Sequence, residues 1–169
     1  MALSKAPAPT QRLATLKAAK EAGLHVYVAI APTYPECDET DLRRTLTAIR
    51  DVNPITVFHE PINIRAENVE RIKRTATRLG VPLDIAVFAT RDAWQEYAIR
   101  SLTTVCKIAA ELGLGDRLHL WPDKSLGSKT RLERMTDPAG FEQWLQHWWR
   151  RVSEWPAGAA HESPLLSEQ

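Results

Sequence analysis

The sequence predicts an α/β fold in which the strands of a parallel sheet alternate with helices along the chain. Short apolar or β-branched runs alternate with longer segments whose apolar residues recur every three or four positions. Successive runs lie about thirty residues apart, which is the length of one βα unit. Because this order favours parallel strands joined by helical crossovers, we predict about four βα units plus a C-terminal aromatic-rich helix.

The predicted strands are the four short apolar runs. They cover residues 25–31, 55–59, 83–89 and 117–121. The first and third are almost entirely apolar, with Val26 to Ile30 and Ile85 to Phe88 at their centres. Strands of this kind fit a sheet that is covered on both faces.

The predicted helices fill the intervals between the strands. They cover residues 11–22, a segment from Asp38 or Thr40 to just before Pro54, residues 66–79 and residues 92–112. Gly23, Gly80 and Gly113 follow three of them, as expected of glycine just beyond a helix C-terminus. Either Asp38 or Thr40 is a suitable N-cap for the second helix.

The last predicted helix begins near Asp137 and Pro138, an N-cap followed by proline at the first helical position. Its apolar residues recur every three or four positions: Phe141, Trp144, Leu145, Trp148, Val152 and Trp155. Such a stripe favours docking against the core over a platform for stacking bases. We therefore expect one domain over residues 1–155 and a disordered tail over residues 156–169.

Composition argues against a membrane-spanning or secreted protein and leaves DNA open as a partner. The net charge of +1 gives no overall electrostatic signature of a nucleic-acid or membrane-surface protein. No apolar run approaches the ~20 residues needed to cross a bilayer, and residues 1–12 lack a signal-peptide core. Cys37 and Cys106 are far apart and have no neighbouring ligands, so we expect free thiols, no metal site and a reducing, cytoplasmic location.

Four βα units do not close a barrel, because a complete (β/α)₈ barrel has about 250 residues. The chain also opens on a helix without a preceding strand. Three interpretations remain open. The chain is a small open α/β domain, it is part of a barrel whose preceding units are missing, or two copies complete each other across the sheet edge.

Ligands of parallel α/β proteins bind at the carboxyl ends of the strands. His59 and Glu60 lie at such an end, before Pro61, and form a candidate proton-transfer residue and ligand anchor. The alternative is a turn residue and a surface carboxylate. Asp123 and Lys124 are either phosphate or carboxylate binders or an exposed ion pair. For the basic residues of the third helix, a solvated face is favoured over phosphate binding: Arg71, Lys73, Arg74 and Arg78.

Two segments carry a resemblance to a known family. In residues 22–35, Ala22-Gly23 leads into an apolar strand and then a Pro-x-x-Pro turn, and the acidic residues 38–41 follow. This resembles the fifth strand of radical S-adenosylmethionine (SAM) enzymes. Residues 57–65 together with 67–69 resemble the sixth strand of the spore photoproduct lyase-like branch, the DNA repair photolyase-like proteins. The resemblance covers roughly residues 8 to 95.

The resemblance implies a partial (βα)₆ barrel, SAM and a [4Fe–4S] cluster as cofactors, lyase-type radical chemistry and DNA as a substrate. By matching position, Ile30, Ala31 and Pro32 would bind SAM near its adenine, and His59, Glu60 and Asn63 would line the substrate pocket. The family's Cys-x-x-x-Cys-x-x-Cys motif is absent. We therefore expect the C-terminal part of such an enzyme, without catalytic or metal-binding residues of its own and inactive alone.

Two other functions remain as alternatives. One is a non-catalytic α/β binding module, dimeric through its sheet edge. The other is a cluster-free hydrolase or isomerase that uses His59 and Glu60. The expected partners are the missing N-terminal half or a second copy, and DNA by the resemblance, but no membrane.

Overall fold

The computed structural model describes residues 7–64 and 67–153. The predicted tail, residues 156–169, and Trp155 lie outside this part of the chain. The described residues contain three strands, β1 (Tyr27–Thr33), β2 (Thr56–Pro61) and β3 (Leu118–Leu120), which form one parallel sheet in the order β1-β2-β3. The prediction of a parallel α/β fold is confirmed.

Six α-helices accompany these strands in the described residues. They are α1 (Pro9–Glu21), α2 (Glu39–Arg50), α3 (Asn68–Leu79), α4 (Arg91–Glu111), α5 (Lys129–Leu132) and α6 (Pro138–Ser153). Asp38 caps α2 by accepting a hydrogen bond from the Asp41 amide at 2.8 Å, and Thr90 caps α4 through the Ala93 amide at 3.1 Å. Polar side chains at the N-caps thus determine where these two helices begin.

The prediction of a strand over residues 83–89 is wrong. Ile85–Phe88 is a short 3₁₀ helix, whose first turn is capped by the Asp84 carboxylate through the Ala86 amide at 3.1 Å. Ile85 is exposed and only Val87 is buried. A central strand of a parallel sheet is buried on both faces, and this segment is not. The position beside β2 is taken by β3, where Val57 pairs with Leu118 and His59 with Leu120.

The core lies between the sheet and helices α2, α4 and α6. One face of the sheet, the covered face, carries Val28 and Ile30 of β1, Val57 and His59 of β2, and Leu118 and Leu120 of β3. Helix α4 packs on β2 and β3 and also against α2, which presents Leu42, Leu46 and Ile49. The prediction that the aromatic helix docks against the core is confirmed, because Leu145 and Trp148 are buried in it.

The other face, called the open face because its β1 side is uncovered, carries Tyr27 and Ala29 of β1, Thr56 and Phe58 of β2 and His119 of β3. Thr56, Phe58 and His119 are buried, whereas Tyr27 and Ala29 are exposed. Trp121, just after β3, has its ring 6.0 Å from that of Phe58. Tyr27 and Trp121 remain 58% and 51% exposed, although both are large aromatic residues. Within the described residues, no helix is both long enough and apolar enough to span a bilayer.

Candidate functional site at the carboxyl edge of the sheet

A pocket of about 780 Å³ lies at the carboxyl ends of β1 and β2. Four of the six candidate ligand-binding residues line it: Ala31, Pro32, Glu60 and Asn63. The rest of the lining comes from helix α3, the segment that follows it and further residues at the ends of β1 and β2, which are Tyr34, Glu36, Pro61 and Ile62. The pocket therefore lies where parallel α/β sheets usually bind ligands.

Two aromatic side chains of α4 hold this edge of the sheet in place. The indole Nε1 of Trp94 donates a hydrogen bond to the Ile62 carbonyl at 2.7 Å, and the Tyr97 hydroxyl donates to the Thr33 carbonyl. The Ile62 amide also donates to the Thr33 carbonyl, at 2.9 Å. Burial raises the pKa of Tyr97, so its hydroxyl stays a neutral donor. The two loops after β1 and β2 are thus fixed to the core.

A row of four polar side chains runs along the pocket. The Asn63 amide donates to the Glu60 carboxylate at 3.5 Å, and the Asn68 amide donates to Asn63 Oδ1 at 3.3 Å. The Arg71 guanidinium donates to Asn68 Oδ1 at 3.1 Å. We call Glu60, Asn63, Asn68 and Arg71 the polar row. It has a carboxylate at the sheet and a cation on α3, so it offers acceptors at one end and charged donors at the other.

Another part of the pocket lining is apolar. It consists of Leu79, Val81, Pro82 and Leu83 at the end of α3 and beyond. Leu79 and Val81 are 60% and 55% exposed. Exposed apolar side chains next to a few ordered polar groups are typical of small-molecule pockets.

His59 does not line this pocket, in contrast to the expectation that it lies at the mouth with Glu60 and Asn63. Its side chain is completely buried, with Nδ1 3.2 Å from Thr33 Oγ1 and Nε2 3.2 Å from Ser101 Oγ. Burial lowers the pKa of His59 to about 4, so the ring is neutral at pH 7. Neighbouring strand residues point to opposite faces, and His59 points into the core while Glu60 lies at the pocket.

Ile30 also lies outside the pocket, because its half-buried side chain packs against the core on the covered face. The next two residues, Ala31 and Pro32, are exposed and line the pocket. The strand register shifts between Ile30 and Thr33, where the Ala31–Pro32 peptide bond is cis. Of the three residues expected near adenine, two are therefore accessible to a ligand.

Asn68 and Arg71 were not singled out as ligand-binding residues in the sequence. Arg71 was assigned to a solvated helix face, and it is exposed, but it also lines the pocket. Lys73, on the same helix, instead pairs with Glu70 at 3.0 Å. The available signal was the position of α3, which begins directly after the loop that follows β2, so that its first turn returns to the sheet edge.

Metal-ligating groups are not clustered in the part of the chain that the structure describes. No set of three or more His, Cys, Asp or Glu side chains is placed there to hold a metal ion. Cys37 and Cys106 are free and half-buried, and burial raises the pKa of both thiols, with Asp41 and Asp38 adding to the effect at Cys37. Neither cysteine is an activated thiolate.

Comparisons with known proteins add one partial match. No protein-family profile and no solved structure matches the chain. The chain is 36% identical over 74 residues to the uncharacterized protein ORF301 of Acidianus two-tailed virus. The matched segment covers 41% of this chain and 25% of the viral protein, so the chain spans about a quarter of that relative's length. The relationship to radical SAM proteins stays a prediction.

Proposed function

We propose that this chain is the ligand-binding part of a parallel α/β enzyme fold, with the ligand in the pocket at the carboxyl ends of β1 and β2. The observation that carries this proposal is the polar row beside an exposed apolar lining. Four hydrogen-bonding side chains held in sequence along a 780 Å³ pocket are an ordered set of contacts for a ligand. The hydrogen bonds from Trp94 and Tyr97 to the Ile62 and Thr33 carbonyls hold the sheet edge beside this set in place before a ligand binds.

The chemistry of the lining defines the ligand class. The Glu60 carboxylate selects hydroxyl or ammonium donors, and the Arg71 guanidinium selects a carboxylate or another anion. Leu79, Val81, Pro82 and Leu83 favour a flat or aliphatic group. A molecule that combines a ring system, hydroxyl groups and a zwitterionic end meets all three requirements.

SAM has this combination, and the resemblance to radical SAM proteins names it as the ligand. In that case Ala31 and Pro32 would contact the adenine, and Glu60 and Asn63 would hold polar groups of the ligand or of a substrate. In such an enzyme a reduced [4Fe–4S] cluster would supply the electron that cleaves bound SAM into methionine and a 5′-deoxyadenosyl radical. DNA or another nucleic acid as the substrate of the parent enzyme rests on the resemblance alone.

The chain does not suit the [4Fe–4S] cluster. It contains two cysteines, Cys37 and Cys106, and a cluster of this type is usually held by three or four thiolates. We therefore propose that the chain binds SAM but does not cleave it unless a polypeptide carrying the cluster motif completes the fold. In this proposal the three parallel strands are part of a partial barrel, and the protein works in a reducing cytoplasm with both thiols free.

The experiment is isothermal titration calorimetry of the intact chain with SAM and with S-adenosylhomocysteine. We expect binding that weakens about tenfold or more in Glu60→Gln and in Arg71→Ala, because each removes a charge-assisted hydrogen bond. Glu96→Gln, an exposed position on α4 outside the pocket, is the matched control and should bind like the wild type. Absence of binding at millimolar SAM, with the chain folded, would contradict the proposal.

A second candidate is a non-catalytic binding module that dimerises. The specific observation in its favour is the open face, where Tyr27 and Trp121 are more than half exposed. Sedimentation equilibrium distinguishes the two candidates. A dimer at micromolar concentration that dissociates in Tyr27→Ala favours the module, and a monomer that binds SAM favours the first proposal.

A hydrolase or isomerase that uses His59 and Glu60 together is not supported by the geometry. The two side chains lie on opposite faces of β2, and both ring nitrogens of His59 face core partners. We do not propose a proton-transfer role for His59.

A further inference from the structure

A second cavity adjoins the pocket and shares Glu60 with it. It has a volume of about 490 Å³ and lies between the end of β3 and helix α6. Besides Glu60, its lining consists of Trp121, Pro122, Asp123, Lys124, Trp149 and Val152. We call it the Trp121 cavity. None of the chemistry proposed for the first pocket uses these six residues.

Trp121 is held in place yet exposed. Its backbone amide donates to the His59 carbonyl at 2.9 Å, which continues the β2–β3 ladder, and its ring packs at a 41° tilt against Phe58. Half of its surface, 51%, is nevertheless exposed, whereas Trp94 and Trp148 in the core are 2% and 5% exposed. A rigid indole with one free side is a ready surface for a planar ring.

A second indole borders the same cavity and is also fixed. Trp149, on α6, donates from Nε1 to the Pro122 carbonyl at 3.0 Å and is half-buried. This bond anchors the Trp121–Pro122 turn to α6. The cavity is thus built from two ordered aromatic side chains rather than from loose surface residues.

The charges of the cavity select one kind of ring-bearing molecule. Its lining has two carboxylates, Glu60 and Asp123, and one ammonium, Lys124; Asp123 Oδ1 also accepts a hydrogen bond from the Ser125 amide at 2.8 Å. Lys124 is exposed, and no carboxylate within residues 7–64 and 67–153 pairs with it. A polyphosphate or other polyanion would meet net negative charge, whereas a zwitterion would complement both signs.

We propose that the Trp121 cavity binds an aromatic α-amino acid. The ring lies on Trp121, the carboxylate meets Lys124, and the ammonium group meets Glu60. Since Glu60 borders both cavities, this ligand would lie directly beside the occupant of the first pocket. The inference goes beyond the proposed function, because it concerns a separate set of residues and a second ligand.

The test is calorimetric titration of the intact chain with L-phenylalanine and three analogues. Phenethylamine lacks the carboxylate, 3-phenylpropionate lacks the ammonium group, and L-leucine lacks the aromatic ring. We expect L-phenylalanine to bind best, with each analogue at least about fivefold weaker because each loses one of three contacts. Equal binding of L-leucine, or no binding of L-phenylalanine at millimolar concentration, would overturn the proposal.

Variants separate this cavity from the first pocket. Trp121→Ala should weaken L-phenylalanine about tenfold, whereas Trp121→Phe should retain it within about threefold. Lys124→Ala should weaken L-phenylalanine but not phenethylamine. Tyr27→Ala, an exposed aromatic on the same face but outside the cavity, is the control. Arg71→Ala should leave L-phenylalanine unchanged, so failure of the SAM proposal and failure of this one are distinguishable. Undiminished binding to Trp121→Ala would refute the assignment.

Discussion

The two faces of the β-sheet differ in what their side chains do, and the contrast is sharpest at two neighbouring residues. On the covered face, His59 is completely buried and both ring nitrogens have hydroxyl partners. On the other side of the strand, Glu60 borders both cavities. The covered face therefore holds His59 in the core, whereas the side of the sheet that carries Glu60 presents chemistry to ligands at its carboxyl edge.

The largest expected effect is on the covered side and compares two tryptophans. Trp94→Ala should lower the free energy of unfolding by about 3–5 kcal/mol, because it leaves a large cavity and removes the donor to the Ile62 carbonyl. Trp121→Ala, on the open face, should cost about 1 kcal/mol or less. Urea denaturation followed by circular dichroism measures both. Equal losses of unfolding free energy in the two variants would contradict the different roles assigned to the two tryptophans.

The second prediction concerns pH and His59. Because burial lowers the pKa of His59 to about 4, from 6.5 in the unfolded chain, the unfolded state binds a proton first as the pH falls. Stability should be complete above about pH 6.5 and decline towards pH 4. By pH 4.5 the loss attributable to His59 should be about 2–3 kcal/mol.

The variant His59→Gln separates this effect from the other titrating groups. Glutamine keeps hydrogen-bonding capacity towards Thr33 and Ser101 but does not titrate. The His119 pKa is also lowered, first by burial and then by Arg151, and its contribution remains in both proteins. If wild type and variant lose the same stability between pH 7.5 and 4.5, His59 is not the buried neutral residue described above.

The third prediction tests the hydroxyl partners of His59. Ser101→Ala leaves one buried ring nitrogen without its partner and should cost about 1–3 kcal/mol. In a His59→Leu background the same substitution should cost clearly less, because the group that needed the hydroxyl is gone. A double-mutant cycle by chemical denaturation measures this coupling. Additive effects would mean that the contact contributes nothing.

The smallest expected effect concerns the two cysteines. Both pack partly against the core, and burial raises their pKa values above that of a free thiol. At pH 8 less thiolate is present, so alkylation of Cys37 and Cys106 in the folded protein should be a few-fold slower than that of a free cysteine. Mass spectrometry after timed iodoacetamide treatment gives the rates. A rate faster than that of glutathione would indicate an activated cysteine.

Much of the fold could be predicted from the sequence because its signals are local. The helix caps at Asp38 and Thr90 and the apolar periodicity of α2 and α4 depend on residues within a few positions of each other. The segment around Ile85 was misassigned because its composition is that of a strand. Only the tertiary structure reveals that β3 occupies the place beside β2.

The candidate site was accessible to sequence reasoning only in part. His59 and Glu60 were expected to share the pocket because the strand was predicted to end before Pro61. In the structure β2 continues through Pro61, so strand alternation sends the two side chains to opposite faces. Ala31, Pro32 and Asn63 could be placed at the carboxyl edge because they follow predicted strands. Asn68 and Arg71 could not be placed there from the sequence, because their position depends on how the chain returns from β2 into α3.

The most direct test of the account is a nitrogen-15 NMR titration of the intact chain with SAM. The side-chain amides of Asn63 and Asn68 and the guanidinium of Arg71 give their own signals, so the polar row reports on its ligand directly. We predict saturable chemical-shift changes at these groups, with little change at the buried indole of Trp94. No shifts at millimolar SAM, or shifts confined to residues away from the pocket, would contradict the central claim that the carboxyl edge of this sheet is a ligand-binding site.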